Sequence, residues 1–147
     1  MPFTPRTLSE YVPNGCSEVL LSELTRRVLN GAINLAAQSG RDMGMAHVLA
    51  VIAGERRSPC VSVLSRAGLN AVALMHDLSK PRPVYGGRLL DLISRAYTAA
   101  EAFGSHYVGT DHLLLAMATD RRGERLLRKY GVQPGAVAAE LRAMLRR

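Results

Sequence analysis

The sequence has no tryptophan, only two phenylalanines and only two cysteines among its 147 residues. Its apolar residues, 48% of the chain, are therefore mostly Leu, Ala, Val and Met, which suit helices better than strands. The two cysteines, Cys16 and Cys60, are far apart and match no metal-binding or redox spacing. We therefore expect two reduced thiols, and we expect neither a bound metal nor a cofactor.

The sequence also lacks a long apolar run. No stretch approaches the roughly 20 apolar residues that a helix needs to cross a bilayer. Residues 1–16 have neither the apolar core nor the cleavage pattern of a signal peptide. We therefore expect a cytoplasmic protein, and this length fits one ordinary domain or two very small ones that share a core.

Positive charge is in excess and is concentrated near the C-terminus. The formal net charge is +7, and residues 121–147 carry eight basic residues against two acidic ones. Such a balance raises the hypothesis of nucleic-acid binding. The basic residues follow helical spacing and have no aromatic neighbours on which bases could stack, which favours a solvated, arginine-rich face. A nucleic-acid-binding regulator that uses these last helices is the alternative hypothesis.

The chain contains an internal repeat. Three pairs of segments align, namely 24–40 with 88–104, 43–53 with 108–118, and 63–78 with 126–141. In each copy the apolar positions recur at three- and four-residue steps, which predicts amphipathic helices. Gly40 and Gly104 follow the first of these helices, where a helix C-terminus favours a left-handed residue.

These patterns predict an all-α fold of two tandem four-helix repeats that form a pseudo-twofold eight-helix bundle. The predicted organisation is an N-terminal extension (1–20), a first repeat (21–79), a linker (80–84) and a second repeat (85–147). The linker contains two prolines, which cannot continue a helix. The extension has no counterpart in the second repeat. The sequence therefore leaves open whether the extension is ordered and whether it folds over a binding groove.

The second repeat carries the most specific motif. Residues 103–116 read Phe-Gly-Ser-His-Tyr-Val-Gly-Thr-Asp-His-Leu-Leu-Leu-Ala. This run resembles the N-terminal repeat of the Clp ATPases, of the ClpA and ClpC type, in which a leucine-glycine pair precedes Gly-Thr-Glu-His and further leucines. Together with the duplication, the resemblance covers residues 21–147.

The resemblance implies a non-enzymatic module that binds proteins or peptides. In that family the domain precedes AAA+ unfoldase modules, recruits adaptors and substrates, binds phosphorylated arginine in some members, and can be the target of cyclic-peptide antibiotics. This sequence has no Gly-x-x-x-x-Gly-Lys-Ser/Thr phosphate loop, so it cannot hydrolyse ATP by the family's mechanism. We expect a free-standing domain, rather than an excised piece, that acts as an adaptor, a regulator or a ligand-sequestering decoy beside Clp ATPase and protease components.

Thr110 and Asp111 are the first candidates for ligand binding. We expect Thr110 to cap the second helix of its repeat and Asp111 to lie in the first turn, where the helix dipole favours a carboxylate. The alternative is that the pair only starts a helix. The resemblance implies that the acidic residue here helps to bind the guanidinium group of phosphoarginine. Aspartate is shorter than the family's glutamate, and the first repeat has Met45 and Ala46 instead, so we expect weak or no phosphoarginine binding.

Leu21, Tyr85 and Arg88 are the remaining candidates for a peptide or ligand surface. Leu21 and Tyr85 occupy the starts of the two repeats, and the resemblance implies an apolar ligand surface near these starts. Arg88 begins the aligned segment of the second copy. Tyrosine suits an anchoring role because it combines a large apolar body with a polar tip. The alternative for Tyr85 is that it packs against the linker.

The histidines indicate a structural role. His47 and His112 occupy matching positions, so we expect both to hold the turn before a helix. The other histidines supply no cluster at metal-site spacing. Ser105, His106 and Asp111 are close in sequence, but no nucleophile elbow surrounds them. We therefore do not expect an enzyme.

Overall fold

The computed structural model describes residues 3–80 and 89–146. In these ranges the regular elements are helical, and Leu21 and Val108 form an isolated parallel bridge outside any strand. The elements in chain order are α1 (Leu8–Tyr11), a 3₁₀ turn (Glu18–Leu20), α2 (Glu23–Ala37), α3 (Met45–Gly54), α4 (Cys60–Arg66), α5 (Ala71–Leu78), α6 (Leu89–Ala102), α7 (Thr110–Thr119), α8 (Arg121–Lys129) and α9 (Pro134–Leu145). The predicted all-α class is confirmed.

The helices after α1 form two repeats of four. Helix α2 packs against α3, and α6 packs against α7 in the same way. Helices α3 and α7 also contact each other, so that the apolar faces of both repeats form one core. The predicted bundle of two tandem four-helix repeats is confirmed. Residues 81–84 of the predicted linker, and the candidates Tyr85 and Arg88, lie outside the described residues.

The helix ends follow the local sequence. The Ser22 hydroxyl oxygen accepts a hydrogen bond of 3.0 Å from the backbone N–H of Thr25, which caps α2. Gly40 after α2 and Gly104 after α6 have φ angles of +66° and +67°. Both glycines therefore have the left-handed conformation that we predicted for the residue after a helix. Pro134 is the first residue of α9, where a missing N–H costs no helical bond.

Backbone contacts join the two repeats close to the loop before α7. The N–H of Ser22 donates to the Val108 carbonyl at 3.0 Å, and the N–H of Val108 donates to the Leu20 carbonyl at 2.7 Å. The Thr25 hydroxyl donates to the same Val108 carbonyl at 2.8 Å. The beginning of the first repeat is therefore attached to the loop of the second repeat.

The N-terminal extension packs on the first repeat. Leu8 and Tyr11 are buried, and the Tyr11 hydroxyl accepts a hydrogen bond of 3.0 Å from the Met43 N–H. Arg6 and Asp42 form an ion pair at 3.9 Å between the same two segments. The extension, whose order the sequence left open, is therefore an ordered part of the fold from α1 onwards.

We found no candidate membrane-crossing helix in residues 3–80 and 89–146, because none combines the required length with the required apolar character.

Candidate functional site

Two histidines close equivalent turns in the two repeats. The Nδ1 atom of His112 accepts the N–H of Gly109 at 2.9 Å, and the Nδ1 atom of His47 accepts the N–H of Gly44 at the same distance. Burial lowers the pKa of both imidazoles. The charge of Arg41 lowers the pKa of His47 further, whereas Asp111 partly opposes the shift at His112. The predicted structural role of both histidines is confirmed.

Thr110 does not cap α7, so this prediction was wrong. Gly109 occupies the N-cap position, and Thr110 is the first residue of the helix. The Thr110 side chain is buried, and its hydroxyl lies 2.7 Å from the hydroxyl of Ser58 in the first repeat. The ring of His112 takes the capping role at Gly109, which leaves the threonine hydroxyl free to bind across the repeat interface.

Asp111 lies in the first turn of α7, as predicted. Its Oδ1 atom accepts a hydrogen bond of 2.9 Å from the N–H of His112, and its side chain is 26% exposed. Leu21, in contrast, is only 1% exposed, because its backbone bridges Val108 and its side chain enters the core. Because the Leu21 side chain is buried, it is not accessible for direct contact with a ligand.

A pocket of about 290 Å³ lies beside the loop that precedes α7. Three parts of the chain line it: the extension, the C-terminal half of α6, and the loop itself. Its lining includes Cys16, Leu20, Tyr97, Glu101, His106 and Tyr107. We refer to it as the second-repeat pocket. Sequence reasoning missed it because part of its wall, formed by Gly15, Cys16 and Leu20, comes from the extension, which has no counterpart in the repeat.

The wall of the second-repeat pocket is fixed by a tyrosine. The Tyr97 hydroxyl donates a hydrogen bond of 2.7 Å to the Ser17 carbonyl and so ties the extension to α6. Burial, with the charges of Cys16 and Glu18, raises the pKa of Tyr97 to about 12, so the hydroxyl stays a donor at neutral pH. One wall of the pocket is therefore held in place before any ligand arrives.

The rim of the second-repeat pocket is apolar and exposed. Tyr107 is 59% exposed and Leu20 is 43% exposed, and both side chains line the pocket. The equivalent loop of the first repeat differs, because Tyr11 and Met43 are buried against each other there. The two loops are therefore inequivalent: the extension covers the first and leaves an apolar pocket beside the second.

This architecture defines a duplicated helical repeat domain in which each repeat has a histidine-closed turn. The family model described as the Clp repeat (R) N-terminal domain matches residues 20–130 and 85–147. The chain belongs to this family.

Two further comparisons found a relative by sequence and a solved structure by fold. The chain is 25% identical to Chaperone protein ClpB 1 of Nostoc sp. in an alignment 120 residues long, which covers 74% of this chain and 14% of that relative. It therefore spans about a seventh of the length of that relative. A solved structure from preliminary structural investigations of a malarial protein secretion system has a TM-score of 0.66 at 19% identity. That match covers 86% of this chain and 95% of the other. The structural likeness supports the fold.

Proposed function

We propose that this chain is a non-enzymatic module that binds peptides or proteins and works as an adaptor, a regulator or a decoy in Clp-dependent proteolysis. The observation that carries the proposal is the second-repeat pocket with its exposed apolar rim. Exposed apolar side chains that cluster beside a pocket are typical of sites that bind other proteins. The proposed link to Clp-dependent proteolysis rests on the membership of the chain in the Clp repeat family.

The adaptor and decoy versions of this proposal differ in their partners. An adaptor or regulator contacts a Clp ATPase or protease component directly. A decoy captures a ligand, such as a cyclic-peptide antibiotic, that would otherwise bind the ATPase's own domain. Co-purification with a Clp ATPase supports the first version, and tight cyclic-peptide binding without such a partner supports the second.

The test uses substitutions on the exposed rim. Leu20→Ser and Tyr107→Ser remove apolar contact area at the pocket, and Val72→Ser is the matched control because Val72 is 82% exposed on α5 and does not line the pocket. Retention of a Clp ATPase on the immobilised chain and calorimetry with a cyclic-peptide Clp antibiotic are measured for each variant. We expect the rim variants to lose whichever interaction the wild type shows. A wild type that shows neither, or equal loss in the control, contradicts the proposal.

Phosphoarginine binding is predicted to be weak or absent. The first repeat has the apolar, buried Met45 and Ala46 at the relevant positions, and Asp111 already accepts the His112 N–H. Calorimetry with the free amino acid should therefore show at most one weak site. Two tight sites would contradict the prediction.

A nucleic-acid-binding regulator is the second candidate function. Helix α8 is nine residues long and exposes five basic side chains: Arg121, Arg122, Arg125, Arg128 and Lys129. Within the described part of the chain, Arg128 is the member of this set with an ion-pair partner, Glu124 at 3.7 Å. Phosphate contacts release counterions, so retention on DNA that falls steeply with salt would favour this function. The adjacent Tyr130 is buried and offers no stacking surface, which favours the peptide-binding proposal.

A further inference from the structure

Two aromatic side chains line the second-repeat pocket. The whole sequence contains five tyrosines and two phenylalanines, and Tyr97 and Tyr107 both line this one pocket. The faces of tyrosine rings attract cations through their quadrupole, most strongly where water is partly excluded. A pocket with two such rings is therefore suited to a positively charged group.

The charge around the pocket is opposite in sign to that of the protein. The chain has a formal net charge of +7, yet the described residues that line the pocket include Glu101 and no lysine or arginine. Glu18 is a second carboxylate nearby, since its charge contributes to the raised pKa of Tyr97. An anionic group would meet these carboxylates, whereas a cationic group would be attracted by them.

The size of the pocket limits what it can hold. At about 290 Å³ it lies at the lower end of the range of small-molecule sites, so it suits a single side chain better than a large cofactor. Leu20 supplies an apolar wall against which an alkyl stem can pack while its charged end stays near solvent. An aliphatic chain that ends in a positive charge matches both properties.

We propose that the second-repeat pocket receives a cationic side chain of a bound peptide, arginine or lysine, with its stem against Leu20 and its charge beside Glu101 and the ring of Tyr107. Arginine is the tighter of the two, because its planar guanidinium group stacks on aromatic faces. This inference rests on the proposed peptide-binding function and names the chemistry that the site selects.

The test compares two synthetic peptides, acetyl-Ala-Leu-Arg-Leu-Ala-amide and the same peptide with citrulline, an uncharged analogue of arginine, at the central position. Affinities for the full chain are measured by calorimetry at low salt. We expect the arginine peptide to bind about three- to tenfold more tightly, the effect of one cation–π contact together with one exposed ion pair.

Matched variants test whether the preference for the arginine peptide arises at the second-repeat pocket. Glu101→Gln should bring the two affinities together, whereas Glu10→Gln, which changes the net charge equally at an exposed position of α1, should not. Tyr107→Leu should weaken binding of the arginine peptide, and Tyr107→Phe should retain it because the ring is kept. Tyr107 is exposed, so neither change disturbs the core.

Three results would overturn the inference: equal affinities of both peptides for the wild type, a preference that survives Glu101→Gln, or no binding of either peptide. Equal binding of both peptides leaves the proposed function standing, because the pocket then accepts peptides without selecting charge. The proposed function fails separately, when the wild type retains neither a Clp ATPase nor a cyclic peptide.

Discussion

His47 and His112 perform the same task in the two repeats, at the turns before α3 and α7. Each ring occupies the third position of its helix, and its Nδ1 atom accepts the N–H of the glycine that precedes the helix. This bond requires a neutral ring with no proton on Nδ1. Protonation of either ring therefore removes the hydrogen bond that this ring accepts.

The two histidines predict a loss of stability at mildly acid pH. Burial holds their folded-state pKa values below the unfolded value of 6.5. The unfolded chain therefore binds more protons in that range, and the free energy of unfolding rises with pH. Their contribution is complete above about pH 6.5 and is lost as the pH falls towards the folded-state values. Urea unfolding between about pH 5 and pH 8 measures this trend.

Two double variants, a test and its control, check the source of the pH dependence. Glutamine at the third helical position can reach back to the N-cap N–H without titrating, so His47→Gln with His112→Gln should flatten the dependence. His76→Asn with His106→Asn should leave it unchanged, because both side chains are exposed. A wild-type free energy of unfolding that stays level or rises on acidification would contradict the prediction.

At the scale of the helices, α7 and α8 are joined by one residue. Helix α7 ends at Thr119, α8 begins at Arg121, and Asp120 between them accepts the N–H groups of Arg122 and Gly123 at 3.0 and 3.1 Å. Gly123 is buried against the end of α7. A Cβ atom at this position would overlap the Met117 carbonyl oxygen. The close turn therefore depends on a residue without a side chain.

Gly123→Ala is predicted to destabilise the protein by about 1–3 kcal/mol, because the added methyl group forces the two helices apart. The matched control is Gly135→Ala in the first turn of α9, where a Cβ atom would meet no heavy atom within 4 Å. This control should be neutral or slightly stabilising, since alanine is the better helix former. Urea unfolding of both variants measures the difference, and equal free energies of unfolding would contradict the proposed packing.

Helical periodicity was sufficient to predict the eight repeat helices, because each buries one apolar stripe. Leu92, Ile93 and Ala96 of α6, for example, are buried at the spacing that the sequence showed. The capping of α7 was not predictable from residue preference. Threonine and glycine rank about equally as N-caps, so residue preference does not choose between Thr110 and Gly109. The imidazole three positions after Gly109 satisfies the N–H of this glycine and removes the need for a hydroxyl there.

At the scale of the whole molecule, the extension makes the two repeats inequivalent. It covers the first-repeat loop through Tyr11 and forms part of the second-repeat pocket through Cys16 and Leu20. The sequence could not predict this arrangement. The bond from Met43 to Tyr11 joins residues 32 positions apart and leaves no periodic pattern.

Tyr11→Phe tests how firmly the extension is attached. It leaves the buried Met43 N–H without its partner, which should lower the free energy of unfolding by about 1–3 kcal/mol. Tyr107→Phe is the matched control, because Tyr107 is exposed, and it should change stability by less than about 0.5 kcal/mol. Equal free energies of unfolding for the two variants, measured in urea, would show that the extension is not held in this way.

The most direct test of the central claim maps where a peptide binds. Backbone-amide NMR spectra of the full chain are recorded while acetyl-Ala-Leu-Arg-Leu-Ala-amide is added. We expect shifts at Glu101 and at residues 105–108 beside the second-repeat pocket, and we expect no shifts at residues 41–44, which lie beneath the extension. Shifts at both loops, or only at the first-repeat loop, would contradict the claim that the second-repeat pocket is the binding surface.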